Sequence, residues 1–266
     1  MKKLIALILA VGMLLTLGAL ALADGSLEAI KAKGTYVLGL DDSFPPMGYR
    51  NEDNEIVGFD IDLATVVCER LGVELVLQPI VWDAKELELN AGNIDCIWNG
   101  MSRTPAREES MTLSMDYMNN AIVLMVNDPA YAVKEDLAGK VIAVQASSYA
   151  EEVLADAEYA DYVAGLAEVR SYPDYLTAIM DLQNGNVDAI GIDLVVANFQ
   201  IANLQDDSLF CIDNLADDLY CVGFRKADVE LCDAVNAAFL EMAGDGTLDA
   251  ICEKWFGANI SLINAD

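Results

Sequence analysis

Two successive runs of alternating strand-like and helix-like apolar pattern confine this chain to α/β architectures. The first opens with "TYVLGLDD" (35–42), a buried strand ending in acids. "GFDIDLATVVCERLG" (58–72) carries Ile61, Ala64, Val67, Cys68 and Leu71 at helical spacing and stops at Gly72. "VELVLQPI" (73–80) alternates as a strand, "AKELELNAG" (84–92) is a helix closed by Gly92, and "IDCIWNG" (94–100) is a strand. This β-α-β-α-β order predicts a parallel sheet covered by helices. The pattern then restarts. "NAIVLMVN" (120–127) and "KVIAVQASS" (140–148) read as strands, the second leading into the helical "YAEEVLADA", "PDYLTAIMDLQNG" (173–185) as a helix and "VDAIGID" (187–193) as a strand. After "DLYCVGFRK" (218–226) come two helices, 228–246 and 247–257. No Gly/Ser/Pro linker separates the runs, which points to lobes joined by strands rather than by a tether. "NIDCIWNG" and "NVDAIGID" both pass from Asn through Asp into an apolar strand, as equivalent strands of two similar lobes would.

The N-terminus reads as a cleavable export signal: Met1-Lys2-Lys3, the apolar "LIALILAVGMLLTLGAL", then Ala21-Leu22-Ala23 before Asp24. An uncleaved anchor is the other reading. The apolar run carries no Cys, so nothing suggests a lipid-modified N-terminus, and a periplasmic or secreted chain is expected. Losing the leader's two lysines takes the formal charge from −29 to −31. That charge argues against nucleic-acid partners, whose phosphates need cationic contacts. The chain has no His, which excludes Ser-His-Asp and Cys-His catalysis and His-bearing zinc sites. Six Cys remain, none in C-x-x-C spacing. An even count in an exported chain permits disulfides, Cys211 with Cys221 for example; Cys68, on an apolar helix face, equally suits a buried free thiol.

Polar residues collect where the predicted strands end, the place at which open α/β sheets bind ligands. Asp41 and Asp42 follow the first strand; Gly100 and Ser102 follow the third. Gln145, Ser147 and Ser148 follow "VIAV", and Asp193 follows "DAIGI". In "NGMSRTPAREES" (99–110), Thr104 is a helix N-cap and Pro105 the first helical residue, so Arg107 falls in the first turn. A cation there opposes the helix dipole by roughly 0.3–1 kcal/mol. Either Arg107 is a solvated residue snorkelling over its neighbours, or it serves an anion site, with a ligand carboxylate offsetting that cost. Asp193 suits an ammonium or a helix N-cap. Phe44 and Trp82 suit the walls around a ligand side chain or the core. Together a carboxylate holder, an ammonium holder and two aromatic walls describe an amino-acid pocket.

The chain resembles the polar amino-acid solute-binding proteins of ABC importers, the bacterial extracellular family 3 type. "LDDSFPPMGY", "GFDIDLATVVCERLGV", "NIDCIWNGMSRTPAREE", "KVIAVQASS", "NGNVDAIGID" and "GDGTLDAICEKWFG" match in order, over about residues 35 to 257. The resemblance implies a type II periplasmic-binding-protein fold: two α/β lobes joined by two hinge strands, with the ligand in the cleft. Lobe 1 would comprise 24–118 and 220–266, lobe 2 119–219, with hinges near 117–121 and 216–220. It further implies that Arg107 grips the ligand α-carboxylate with Ser148 and nearby N–H groups of "QASS". Asp193 would take the α-ammonium, shared with Gly100 and Ser102. Phe44 and Trp82 would wall the side chain, and Asp41 would read it. Three departures stand out. Ser147 replaces a usual Gly, Cys221 replaces the Gly of a hinge segment, and Ile192 lies where some members carry a polar side-chain reader.

The expected function is therefore binding, not turnover. A free amino acid closes the lobes, and the closed form delivers it to a membrane permease. The protein is expected to be a monomer with no metal or cofactor. Asp41 and the acidic surface suit Lys, Arg or ornithine; Gln145 and Ile192 suit a neutral polar or sulfur-containing side chain. The rival reading is a periplasmic dehydratase acting on prephenate or arogenate on the same fold, with Asp41, Asp42 or Asp193 as general acid. A ligand-presenting chemoreceptor subunit would share the pocket and differ in partner.

Overall fold

The computed structural model describes residues 24–204 and 208–264, so the predicted leader, 1–23, lies outside the described residues. The chain opens with α1 (Ser26–Lys33), β1 (Thr35–Leu40), β2 (Ser43–Phe44), β3 (Gly48–Arg50), β4 (Ile56–Val57), α2 (Phe59–Leu71) and β5 (Glu74–Pro79). A 3-10 turn at Trp82–Ala84 leads to α3 (Lys85–Ala91), β6 (Cys96–Ser102), α4 (Pro105–Ser110), β7 (Met111–Leu113) and β8 (Met118–Val126). Then come β9 (Val141–Gln145), α5 (Tyr149–Ala155), α6 (Ala160–Ala164), β10 (Glu168–Tyr172), α7 (Tyr175–Gln183), β11 (Ala189–Asp193) and α8 (Leu194–Leu204). The last elements are β12 (Phe210–Arg225), α9 (Val229–Asp245) and α10 (Thr247–Phe256).

One sheet runs β10-β9-β11-β8-β12-β6-β1-β5, with β7 also paired to β12. It reads alike from either end. In one half β1 pairs in parallel with β5 and β6, and β6 pairs antiparallel with β12. In the other, β9 pairs in parallel with β10 and β11, and β11 pairs antiparallel with β8. The sheet is thus mixed, where the strand–helix alternation predicted a parallel one. The antiparallel pairs are the two long crossing strands, which run between the halves and carry no helix of their own. β8 and β12 pair from Met118↔Tyr220 to Val126↔Phe210 and fuse the halves, with register shifts around Asn214.

The likeness of "NIDCIWNG" and "NVDAIGID" has a structural cause. Asp95 donates its N–H to the Val37 carbonyl (2.7 Å), and its carboxylate accepts the Val37 N–H (2.7 Å). Asp188 does the same with Val141, at 2.9 Å both ways. Lys33 pairs with Asp95 and Lys140 with Asp188. In each half an aspartate side chain replaces a missing ladder partner and fixes the register of the central strand.

The helix boundaries follow the glycine punctuation. Gly72 and Gly92 cap α2 and α3 at φ +72° and +77°, a region open to Gly at little cost. The core is apolar and buried, with Trp98, Tyr36, Phe59 and Phe239 fully enclosed. All six cysteines are free thiols, and Cys211 and Cys221 do not bridge. Both lie on β12, ten positions apart, so an extended strand holds them roughly 30 Å from each other. No helix among the described residues is long and apolar enough to cross a membrane.

Asp95→Ala and Asp188→Ala should each destabilise the fold by roughly 1–3 kcal/mol, because each leaves a strand N–H without its partner. Urea unfolding followed by circular dichroism measures this. A loss below about 0.5 kcal/mol for either would show that the aspartates do not hold the strands.

Candidate functional site

All nine predicted site residues line one small cavity: Asp41, Phe44, Trp82, Gly100, Ser102, Arg107, Gln145, Ser148 and Asp193, joined by Asn99 and Tyr149. Asp41 follows β1, Ser102 ends β6, Gln145 ends β9 and Asp193 ends β11, so the cavity lies across the C-terminal strand ends of both halves.

The basic side of the cavity is built by α4. Thr104 Oγ1 accepts the Arg107 N–H at 3.3 Å and Pro105 starts the helix. Because α4 has six residues, Arg107 stands in its last turn as well as its first, and the expected dipole penalty is not felt. The guanidinium, 2% exposed, donates to Ser102 O (2.8 Å), Glu152 Oε1 (2.9 Å) and Ser147 O (3.3 Å). Lys85 joins it: Nζ donates to Ser147 O at 2.9 Å and sits 5.0 Å from the Trp82 ring centroid. Burial, then the neighbouring Arg107 charge, push the Lys85 pKa down to about 8. Ser147 holds φ +54°, an unusual backbone for a residue with a side chain, and so presents its carbonyl to both cations. Its Oγ donates to Asp83 at 2.5 Å, a further tie between the halves.

The acidic side lies on the crossing strands. Asp193 Oδ1 accepts from Tyr220 OH (2.8 Å) and Asn120 Nδ2 (2.7 Å). The same Asn120 nitrogen donates to Asp218 Oδ2 (2.8 Å), which also accepts the Ser102 hydroxyl (2.9 Å). Burial raises the pKa of both acids, and the Asp218 charge raises Asp193 further. Asp193 does not cap α8; the Val195 N–H there goes to Asn120 Oδ1 at 3.4 Å. Gly100 sits at φ +58°, its N–H donated to the fully buried Asp60 (2.7 Å), which also accepts Tyr117 OH (3.0 Å). Burial pushes Asp60 up to about 7, against those two hydrogen bonds.

Between these sides stand the aromatics. Phe44 and Trp82 line the cavity and are also core residues, Phe44 packing 5.9 Å from Tyr175 across the halves. Asp41 accepts from Ser43 N–H (2.9 Å), Ser43 Oγ (2.5 Å) and Gln145 Nε2 (2.7 Å), and burial raises its pKa. Ile192 is fully buried in the core and does not line the cavity, so its apolar side chain leaves the pocket's polarity untouched. Cys221 is buried at a register shift between β12 and β6, its Sγ 3.6 Å from Met101 O.

The profile of the Bacterial extracellular solute-binding proteins, family 3, matches residues 36–258. The chain belongs to this family. The L-cystine-binding protein TcyJ of Escherichia coli (strain K12) is 32% identical over 241 residues, 90% of this chain and 88% of that protein. A solved ABC uptake transporter substrate binding protein from Streptococcus pneumoniae with bound histidine has TM-score 0.85 and 33% identity, covering 90% of this chain and 99% of its own. The structure of Tv2483 bound to L-arginine has TM-score 0.84 and 31% identity, covering 90% and 97%. Type II periplasmic amino-acid-binding proteins are thus the structural neighbours of this family 3 member.

The sequence reading missed Lys85, Glu152, Asn120, Asp218, Tyr149 and Tyr220. For Lys85 a signal existed: it is a cation at the start of a helix, the same oddity that singled out Arg107. For Asp218 none did, because it stands beside Asp217 and only the pleat of β12 decides which carboxylate turns inward.

Gly100→Ala should destabilise this family 3 protein by roughly 1–3 kcal/mol, since a Cβ there breaks an αL backbone and a tight contact together. That Cβ would lie 2.7 Å from Phe44 Cε1 and 3.1 Å from the Tyr220 ring. A variant as stable as wild type in urea would show that the site tolerates a side chain.

Proposed function

We propose that this chain is the extracytoplasmic amino-acid-binding subunit of an ABC importer, and that it binds without turnover. One observation carries the reading. A single small cavity holds a buried cation, Arg107, and a buried acid, Asp193, that are not paired with each other. A free α-amino acid carries the complementary pair of charges on one carbon.

In this reading Arg107, with Ser148 and the N–H groups beside it, takes the α-carboxylate. Asp193 takes the α-ammonium, helped by the Ser102 hydroxyl oxygen and the Gly100 carbonyl. Phe44 and Trp82 clasp the side chain, and Asp41 with Gln145 reads its polar end. The lobes, 24–118 with 220–266 and 119–219, close about hinges near 117–121 and 216–220. Ligand contacts on both lobes stabilise the closed state, so the population shifts towards it. The closed monomer then docks on the permease, after export by the cleavable leader at 1–23. The names of the relatives, which bind cystine, histidine and arginine, support an amino acid and span the side-chain classes that the pocket suits. A dehydratase would need an acid placed to protonate the departing hydroxyl oxygen. Asp41 already accepts three hydrogen bonds, from the Ser43 N–H, Ser43 Oγ and Gln145 Nε2, which suits reading the polar end of a held ligand.

A thermal-shift screen of Asp24–Asp266 against the twenty amino acids, ornithine, cystine and prephenate tests this. A ligand at 100 times its Kd should stabilise the fold by about 2.7 kcal/mol. Arg107→Ala should abolish that shift, and Asp193→Asn should weaken amino acids far more than their des-amino analogues. A response to prephenate alone, with product formed, would replace this function by the enzymatic one.

A further inference from the structure

Asp218 lies outside the cavity lining, yet two cavity residues are held by it. Ser102 donates its hydroxyl hydrogen to Asp218 Oδ2, so the lone pairs of Ser102 Oγ are left to face the cavity. Asn120 Nδ2 donates one hydrogen to Asp218 and one to Asp193, which ties the two carboxylates to a single nitrogen at 2.8 and 2.7 Å. Both acids are almost fully buried, at 5% and 4% exposure. The charged and titratable groups that face them are Arg103 just after β6, Arg107 on α4, Tyr149 on α5, Tyr175 on α7, and Tyr220 and Cys221 on β12. Both cations in that set are already paired, Arg107 with Glu152 and Arg103 with Asp116 and Glu108. Two carboxylates on one nitrogen, in low dielectric and with the neighbouring cations already paired elsewhere, do not both stay ionised.

We propose that Asp218 is a positioning residue for the ligand ammonium and that the Asp193–Asp218 pair gives up its proton when that ammonium binds. The inference rests on the amino-acid reading of the cavity. The exchange balances: the pair, holding one proton, meets an R–NH3+ group, both carboxylates become ionised around it, and the proton leaves to solvent. Asp218 and Asn120 also line a second groove with Arg103, Asn119 and Asp217, and the departing proton can reach solvent through it. Asp218 thereby sets Ser102 as an acceptor and supplies the second negative charge that makes an ammonium preferable to a neutral hydroxyl or amide.

The sign follows from linkage. The unliganded pair binds its proton more tightly than an ordinary carboxylate, and the liganded pair binds it less tightly, so affinity rises with pH. Below the raised pKa the rise approaches about tenfold per pH unit. Titration calorimetry of Asp24–Asp266 with whichever amino acid stabilises it most, at pH 6.5 in phosphate and in imidazole, counts the proton. Wild type should release up to about one proton per ligand, and Asp218→Asn should still bind but release almost none, with an affinity flat from pH 5 to 8. On wild type alone, the infrared difference spectrum should lose a protonated-carboxyl band on ligand addition. Binding with the same enthalpy in both buffers, or no loss of that band, would overturn this proposal and leave amino-acid binding intact. No binding by any amino acid would overturn both.

Discussion

The antiparallel pairing of β8 with β12 is the constraint on which the molecule turns. Among the described residues it is the one place where the two halves share a hydrogen-bonded ladder, from Met118↔Tyr220 to Val126↔Phe210. On each side the order of strands repeats, so this pair stands at the centre of a near-symmetric sheet. The same two strands carry Asn120, Asp218 and Tyr220. The acidic floor of the cavity is therefore built on the ladder that joins the halves, and any change in the angle between them bears first on those hydrogen bonds.

Electrostatics sets the cleft apart from the rest of this chain. Acids outnumber bases 44 to 15, yet two of the few cations, Arg107 and Lys85, are buried beside each other at its edge. Two like charges in a dry site repel unless something stands between them. Here the Ser147 carbonyl accepts from both and Glu152 pairs with Arg107, so the contact is held by groups of the opposite half. Glu152 keeps 38% of its side chain exposed, so water screens its pairing with the buried Arg107, and the Ser147 carbonyl is the drier of the two contacts. Separation of the halves would cost this contact unless water or a ligand carboxylate replaced it.

What the sequence disclosed depended on whether the signal was local. Helical spacing and closing glycines placed α2, α3 and the two C-terminal helices within a residue or two. The cavity residues were legible because strand ends are where such sheets gather polar side chains. β12 was read only over its second half, because "DNLADD" is polar enough to look like a loop; its pairing with β8, with register shifts around Asn214, carries it through as a strand. α8 was missed because "LVVANFQIANL" is apolar almost all round and shows no clear face. The small sheet β2-β3-β4 is too short for any period to register. Glu152 and Asp218 are brought in by distant packing, and Lys85, though it leans on nearby Trp82, meets the site through Ser147, which no local window contains.

The matched aspartates Asp95 and Asp188 say something about descent. Each answers the same backbone N–H in the same way, one strand in from the end of its half. Two lobes that arose by copying one ancestral unit would drift apart wherever packing accepts substitutes. They would stay recognisable where a side chain stands in for the main chain, because few residue types make that bond at that reach. The short Asn–x–Asp signature is then a fossil of duplication, and the rest of the repeat survives only in the order of the strands.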